Sequence, residues 1–146
     1  RGLGDVYKRQ PLGENILKLC DFVTPNEIEA EQITGIPVKS VSNAEVAADK
    51  LLEKGASAAV ITLGEQGALF KDSKQIIHQP SFQVGPIVET TGAGDAFNGG
   101  LAVALAEEMP IDKALRFACA TASISVTRPG TAPSMPDRNE IDTLIT

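Results

Sequence analysis

The stretch VETTGAGDAFNGGLAVAL, Val88 to Leu105, carries a β-branched run into a long apolar helix through Gly92, Ala93 and Gly94, with an acid, Asp95, directly behind them. Glycine at such a junction lets the backbone turn where a side chain would clash. Small residues also leave the first amides of the helix open, and that end of a helix carries roughly half a positive charge. The junction therefore suits an anion, and it demands a strand on one side and a packed helix on the other. Two familiar glycine patterns do not fit it. The phosphate loop of P-loop nucleotidases needs a lysine after its glycines, and none follows; the dinucleotide fingerprint needs a third glycine where Phe97 stands.

With those patterns set aside, Asp95 is placed to accept a proton from an attacking hydroxyl while the amides of Gly92, Ala93 and Gly94 hold developing phosphoryl charge. A weak base is enough for that reaction, because its loose transition state leaves most of the proton transfer until late. The same residues also make an ordinary helix start, with Asp95 as a cap and the glycines as a tight turn. The residues alone leave both readings open.

Upstream, ENILKLCDFVTPNEIEAEQITG reads as a short helical segment, an apolar strand ending near Val23, a turn at Pro25 and a helix. Asn26 and Glu29 fit a capping box for that helix, and Gly35 fits its stop. SNAEVAADKLLEKG predicts an amphipathic helix with Ser42 as N-cap, Glu45 at the third helical position and Gly55 as terminator. ASAAVITLG is a short continuous apolar run, as in a parallel strand covered on both faces. GALFKD and KQIIHQPSFQV predict two or three short strands around a turn at Asp72 and Ser73. Helices follow from Gly94: GDAFNGGLAVALAEE, PIDKALRFACATASISVT and, past the loop RPGTAPSMP, DRNEIDTLI. The alternation up to residue 94 implies an α/β fold with a mainly parallel sheet. RGLGDVYKRQ, Arg1 to Gln10, has neither hydrophobic periodicity nor a starting Met and reads as a non-native leader, leaving 11–146 as one piece of a domain.

A chain of 146 residues with 42% hydrophobic content has material for one core, and its net charge of −6 gives no basic face to displace counterions from a nucleic acid. Phosphates must be met locally, through amides and metal ions. No apolar run approaches the ~20 residues that span a bilayer and no signal-peptide core is present, so the expected setting is the cytoplasm rather than a membrane. Cys20 and Cys119 lack metal-ligand spacing and read as reduced, buried thiols.

Three further clusters could carry chemistry, each beside a plainer reading. Asn26 and Glu29 supply hard oxygens that could hold the water shell of Mg2+, although helix capping explains both. Thr62, Gly64 and Gly67 lie past the end of a strand, where ligands gather in open α/β sheets and where hairpin turns also occur. The Pro/Gly loop after the long helix offers the carbonyls of Ser125, Arg128 and Gly130 and the Ser134 hydroxyl to a weakly hydrated monovalent cation, or is simply a loop. His78, the one histidine, has no second ligand in sequence and reads as a strand or surface residue.

Taken together, VTPNEIEAEQITG, VITLGEQG, TTGAGDAFNGGLAVAL and ALRFACATASISVTRPGTAPSMP resemble, in order and spacing, the ribokinase-like (pfkB-type) carbohydrate kinases from Pro11 to about Ile145. The last two segments are long and specific. The resemblance implies a partial three-layer αβα fold, the C-terminal ATP-binding portion, with the N-terminal half and its lid missing. It implies transfer of the ATP γ-phosphate to a sugar hydroxyl, D-ribose foremost. Alternatives are a fructokinase, a 2-keto-3-deoxygluconate kinase or nucleoside kinase, or an inactive nucleotide-binding fragment. By the same resemblance Asp95 is the base and touches the sugar, Gly92, Ala93 and Gly94 form the anion hole, and Glu29 organises Mg2+. Asn26, Thr62, Leu63, Gly64, Glu65, Gln66, Gly67, Gly94 and Asp95 contact the nucleotide, and Cys119 lines the adenine pocket. Activation by K+ is implied through Glu89, Thr91, Ser125, Arg128, Gly130 and Ser134. Glu89 stands where the family usually has Asp, and Cys119 where His or Asn is common. A homodimer of the full-length protein is also implied.

Overall fold

A computed structural model describes residues 16–146, and the leader expected at residues 1–10 lies outside the described residues. Its sheet has three strands in sequential order, β1 (Ala58–Thr62), β2 (Ala68–Asp72) and β3 (Ile76–Gln79). Val60 faces Phe70 and Phe70 faces Ile77, all in antiparallel register. The mainly parallel sheet expected from the alternation of strand and helix is therefore not what these strands form. The cause is connection length: Leu63 to Gly67 and Ser73 to Gln75 are far shorter than the dozen or so residues that a parallel crossover needs. At the second turn Asp72 Oδ1 accepts from the amides of Lys74 and Gln75 at 2.7 and 2.8 Å, which closes the reversal expected at Asp72 and Ser73.

Parallel pairing occurs at the other edge of β1, where Val23 bridges Ala59 and Asn26 bridges Thr62. Val60 N donates to Val23 O at 2.8 Å and Thr62 N to Pro25 O at 3.1 Å. The crossover between these segments is long because it contains two helices, α1 (Glu27–Thr34) and α2 (Val41–Glu53). α1 begins with the expected capping box and stops at Gly35, whose φ of 76° is left-handed. α2 begins two residues earlier than expected. Ser40, not Ser42, is the N-cap: its backbone is extended and its hydroxyl accepts from Asn43 N at 3.2 Å. Two serines in alternate positions offer the same local chemistry, and the extended residue takes the cap.

The sheet is covered on both faces. Ala58, Val60, Ala68 and Phe70 pack against α3 (Ala93–Ala106), α4 (Ile111–Ser125) and α5 (Arg138–Ile145). The alternate residues Ala59, Ile61 and Leu69 pack against α1 and α2. The period of two thus generates the expected three layers, with helices on each side of one sheet. Burial of each Val, Leu, Ile or Phe in these two cores stabilises the fold by roughly 1.5–3 kcal/mol. α3 and α4 approach closely at Gly100, where an added Cβ would lie 2.7 Å from Thr121 Oγ1 and 3.1 Å from Ala118 Cα. That contact fixes the axis of α3 and hence the position of its first turn. Among the described residues no helix is long and apolar enough to cross a membrane.

Candidate functional site

α3 starts without a side-chain cap. Gly92 occupies the N-cap position with a φ of 85°, and a Cβ there would stand 3.1 Å from Thr131 Cγ2, so both backbone shape and packing call for glycine. Ala93 N donates to Thr90 O at 3.1 Å, and the first helical bond runs from Ala96 N to Gly92 O at 2.9 Å. The Ala93 amide is thus already engaged. Those of Gly94 and Asp95 have no partner among the described residues and remain as donors at the positive end of the helix. A Cβ on Gly94 would meet nothing within 4 Å, which shows that this turn of backbone opens onto free space.

The space is a cavity of about 240 Å³ lined by Thr24, Asn26, Glu29, Thr62, Gly92, Gly94, Asp95 and Asn98. It lies at the carboxyl ends of β1 and of the parallel segment ending at Asn26, where an open α/β sheet receives its ligands. Asn26 Oδ1 accepts from Glu29 N at 2.9 Å and Glu29 Oε2 accepts from Asn26 N at 3.1 Å. The capping reading of these two residues therefore holds, and they line the cavity as well. Asp95 is exposed and also borders a second, mainly apolar hollow of about 350 Å³ beside Gly99, Gly100, Val103, Phe117 and Met135. It stands between a polar chamber and an apolar one.

Of the turn Thr62 to Gly67, Thr62 reaches the cavity. Leu63 and Gly67 are buried, whereas Gly64, Glu65 and Gln66 form a short 3-10 turn at the surface. Gly67 is confined by packing, since a Cβ there would lie 2.0 Å from Gln79 O. Ser81 Oγ donates to Glu65 O at 2.6 Å, and His78 Nε2 lies 2.7 Å from Gln66 O, so the hairpin's carbonyls are held by β3 and the chain after it. Cys119 sits in the core on α4, away from the cavity, with its thiol directed at Gln79 O 3.7 Å away. Burial pushes that thiol up to about 12, so it stays protonated. Cys20 differs from expectation in being half-buried, with its thiol donating to Ile16 O at 3.3 Å.

The loops around Glu89 and Gly130 meet, although the sequence keeps them apart. Glu89 Oε2 accepts from Gly130 N at 2.8 Å, and Val126 O accepts from Val88 N and Glu89 N at 2.8 and 3.2 Å. Arg128 N donates to Ser125 O at 3.2 Å, and the buried Ser134 hydroxyl donates to Thr131 O at 2.6 Å. The Arg128 guanidinium is paired with Glu140 of α5, and its hydrogen bond holds the Glu140 carboxyl below the usual carboxylate range. Thr91 lies exposed in the segment leading to Gly92. The six residues expected around a monovalent cation thus share one region behind the start of α3. Thr24 and Asn98 are cavity residues that the sequence reading missed. A signal existed for Asn98: it lies three residues past Asp95 on the same helical face, and asparagine is a poor helix-interior residue.

A profile of the pfkB family of carbohydrate kinases matches residues 5–138. Ribokinase of Haemophilus influenzae is 43% identical over 133 residues, which cover 90% of this chain and 42% of that protein. Deoxyribokinase of Salmonella typhi is 41% identical over 117 residues, 80% of this chain and 38% of the other. Among solved structures, Arabidopsis thaliana ribokinase complexed with ribose and ATP superposes with a TM-score of 0.88 at 34% identity, covering 92% of this chain and 44% of its own. The chain spans about two-fifths of the length of the curated relatives that it matches.

Proposed function

The chain belongs to the pfkB family of carbohydrate kinases, with a ribokinase-like α/β fold, and on that premise we propose that it is the nucleotide-binding and catalytic-base portion of a sugar kinase. The reaction is transfer of the γ-phosphate of ATP to a hydroxyl of D-ribose, giving ADP and ribose 5-phosphate, in the cytoplasm. One observation carries the reading: Gly94 and Asp95, whose amides have no partner among the described residues, border one polar cavity together with Thr24, Asn26, Glu29 and Thr62.

Asp95 takes the proton of the acceptor hydroxyl as its oxygen bonds to phosphorus and the bond to the ADP oxygen breaks. The Gly94 and Asp95 amides, fixed by the helix before the reaction, face the charge on the transferring group and need no reorganisation to stabilise it. Asn26 and the turn from Thr62 to Gly67 contact the nucleotide, and Cys119 backs the adenine side. Glu29 and Thr24 offer hard oxygens of the kind that would hold a hydrated Mg2+, which would supply positive charge against the phosphates. Glu89, Thr91 and Ser134, with the carbonyls of Ser125, Arg128 and Gly130, would hold K+, which is weakly hydrated.

The likeness to a ribokinase complexed with ribose and ATP supports these substrates. The similarity to a deoxyribokinase favours one second reading, in which the acceptor is another pentose. A homodimer is part of the proposal for the full-length enzyme. Phosphorus NMR of a reaction containing the full-length enzyme, Mg·ATP and either D-ribose or 2-deoxy-D-ribose tests both readings, since this chain by itself is not expected to turn over. A sugar phosphate from ribose is the expected product; ADP and free phosphate without any sugar ester would overturn the kinase reading.

A further inference from the structure

His78 is the one histidine, and neither the cavity nor the proposed reaction uses it. It is exposed on β3, opposite Leu69 of β2, yet its ring reaches the turn that precedes β2: Nε2 lies 2.7 Å from Gln66 O. A carbonyl only accepts, so Nε2 carries the proton and donates it. Three residues on, Ser81 Oγ donates to Glu65 O at 2.6 Å. A carbonyl held in place fixes the plane of its whole peptide, so these two bonds fix the successive peptides 65–66 and 66–67. Between the two bonds the backbone comes directly against Gly67, where a Cβ would stand 2.0 Å from Gln79 O and 2.7 Å from Ser81 N. Within the turn, Gln66 N donates to Leu63 O at 2.9 Å and Gly67 N to Gly64 O at 3.1 Å. Bonds of this 3-10 type are poorly aligned, and the outside bonds decide the shape.

We propose that His78 is a positioning residue for the nucleotide: by holding Gln66 O, beside Ser81 on Glu65 O, it sets the shape of the turn from Gly64 to Gly67 without touching the ligand. The inference rests on the reading of that turn as a nucleotide contact. Asp95 and the start of α3, where bonds form and break in the proposed reaction, belong to a different element. Loss of the pin therefore weakens nucleotide binding and spares the chemical step.

Kinetics and ADP titration of the full-length enzyme carrying His78→Phe or His78→Gln test this, together with amide hydrogen exchange at Gln66 and Gly67. Phenylalanine keeps a flat ring and removes the donor; glutamine removes the ring and keeps an amide donor near the place of Nε2. Expected for His78→Phe is a rise in nucleotide KM and ADP Kd of about three- to tenfold, the worth of one intramolecular hydrogen bond, with kcat changed less than about twofold. His78→Gln returns both constants to within about twofold of wild type. Exchange at Gln66 and Gly67 speeds by about three- to tenfold in His78→Phe and stays near wild type in His78→Gln. The reverse order, with His78→Phe tolerated and His78→Gln impaired, would mean that the ring itself stacks on the nucleotide, and it overturns the positioning role. Equal impairment of the two variants overturns it too, as do unchanged nucleotide constants in His78→Phe. If the wild-type enzyme binds no nucleotide, the nucleotide reading of the turn fails instead. The exchange data then decide the pin alone, unaltered protection at Gln66 and Gly67 in His78→Phe being the result against it.

Discussion

Two helices begin at the cavity, each with an acid at its third position, and they use that acid in opposite ways. In α1 the acid is Glu29, which turns back to accept from the N-cap amide of Asn26 while the Asn26 side chain accepts from Glu29 N. In α3 the acid is Asp95, for which no such bond is found among the described residues: the N-cap is Gly92, whose backbone is left-handed where that of Asn26 is extended. The closed box of α1 satisfies the amides of Asn26 and Glu29 internally, and caps of this kind are typically worth ~1 kcal/mol. α3 forgoes that and keeps its amides for something else. The comparison teaches where a ligand can gain: at a helix start whose third amide the protein has left unanswered, beside one whose third amide is already answered.

The sharpest break in the comparison is at the two acids. Asp95→Asn keeps size and a possible capping oxygen but removes the proton acceptor. In the full-length protein a rate fall of ~10² to 10⁴ with an unchanged folding midpoint is expected, since that is the usual contribution of a positioned base. Sugar phosphorylation that survived the change would make Asp95 a cap after all, and the two helix starts would cease to differ in kind.

At the second helical position the two starts differ again, with Ile28 in α1 and Gly94 in α3. Ile28 is largely exposed, so a β-branched side chain at this position does not disturb a helix start. Gly94→Val should therefore fold normally, because its Cβ meets open space, and should fill the mouth of the anion site. Calorimetric titration of Mg·ATP is expected to show a loss of affinity of about tenfold or more, the loss of two charge-assisted hydrogen bonds being worth at least ~1.4 kcal/mol. Equal affinity in wild type and variant would mean that phosphates bind elsewhere.

How much of this was legible before the structure depended on the range of the interaction. The capping box at Asn26 and Glu29, the stop at Gly35 and the small-residue start of α3 are all local, and residues within four positions specify them. The start of α2 was also local but ambiguous, because Ser40 and Ser42 carry the same signal and backbone geometry chose between them. Strand direction was read correctly on one edge of β1 and not on the other, since a continuous apolar run such as Ala58 to Thr62 is what any strand buried on both faces requires, parallel or antiparallel. Loop length held the missing information. The tie between Glu89 and Gly130 and the place of Thr24 at the cavity are long-range, and no period or propensity points to either.

The smallest expected effect on stability is also the one that separates structure from chemistry in α1. Glutamine at the third position serves a capping box as glutamate does, by accepting from the N-cap amide, so Glu29→Gln should change unfolding free energy by less than ~0.5 kcal/mol. Its charge, however, is gone. If Glu29 also organises a divalent cation at the cavity, Mn2+ affinity followed by paramagnetic relaxation should weaken by about tenfold, because hard cations favour carboxylate over carboxamide oxygen. Unchanged Mn2+ affinity would reduce Glu29 to a cap, and α1 to scaffolding that aligns Asn26 and Thr62 opposite α3. A weakened affinity at constant stability would show the contrast between the two helix starts to be one of degree: α1 spends the amides of Asn26 and Glu29 on itself and still lends a carboxylate to the cavity, while α3 lends the third amide and the carboxylate of Asp95.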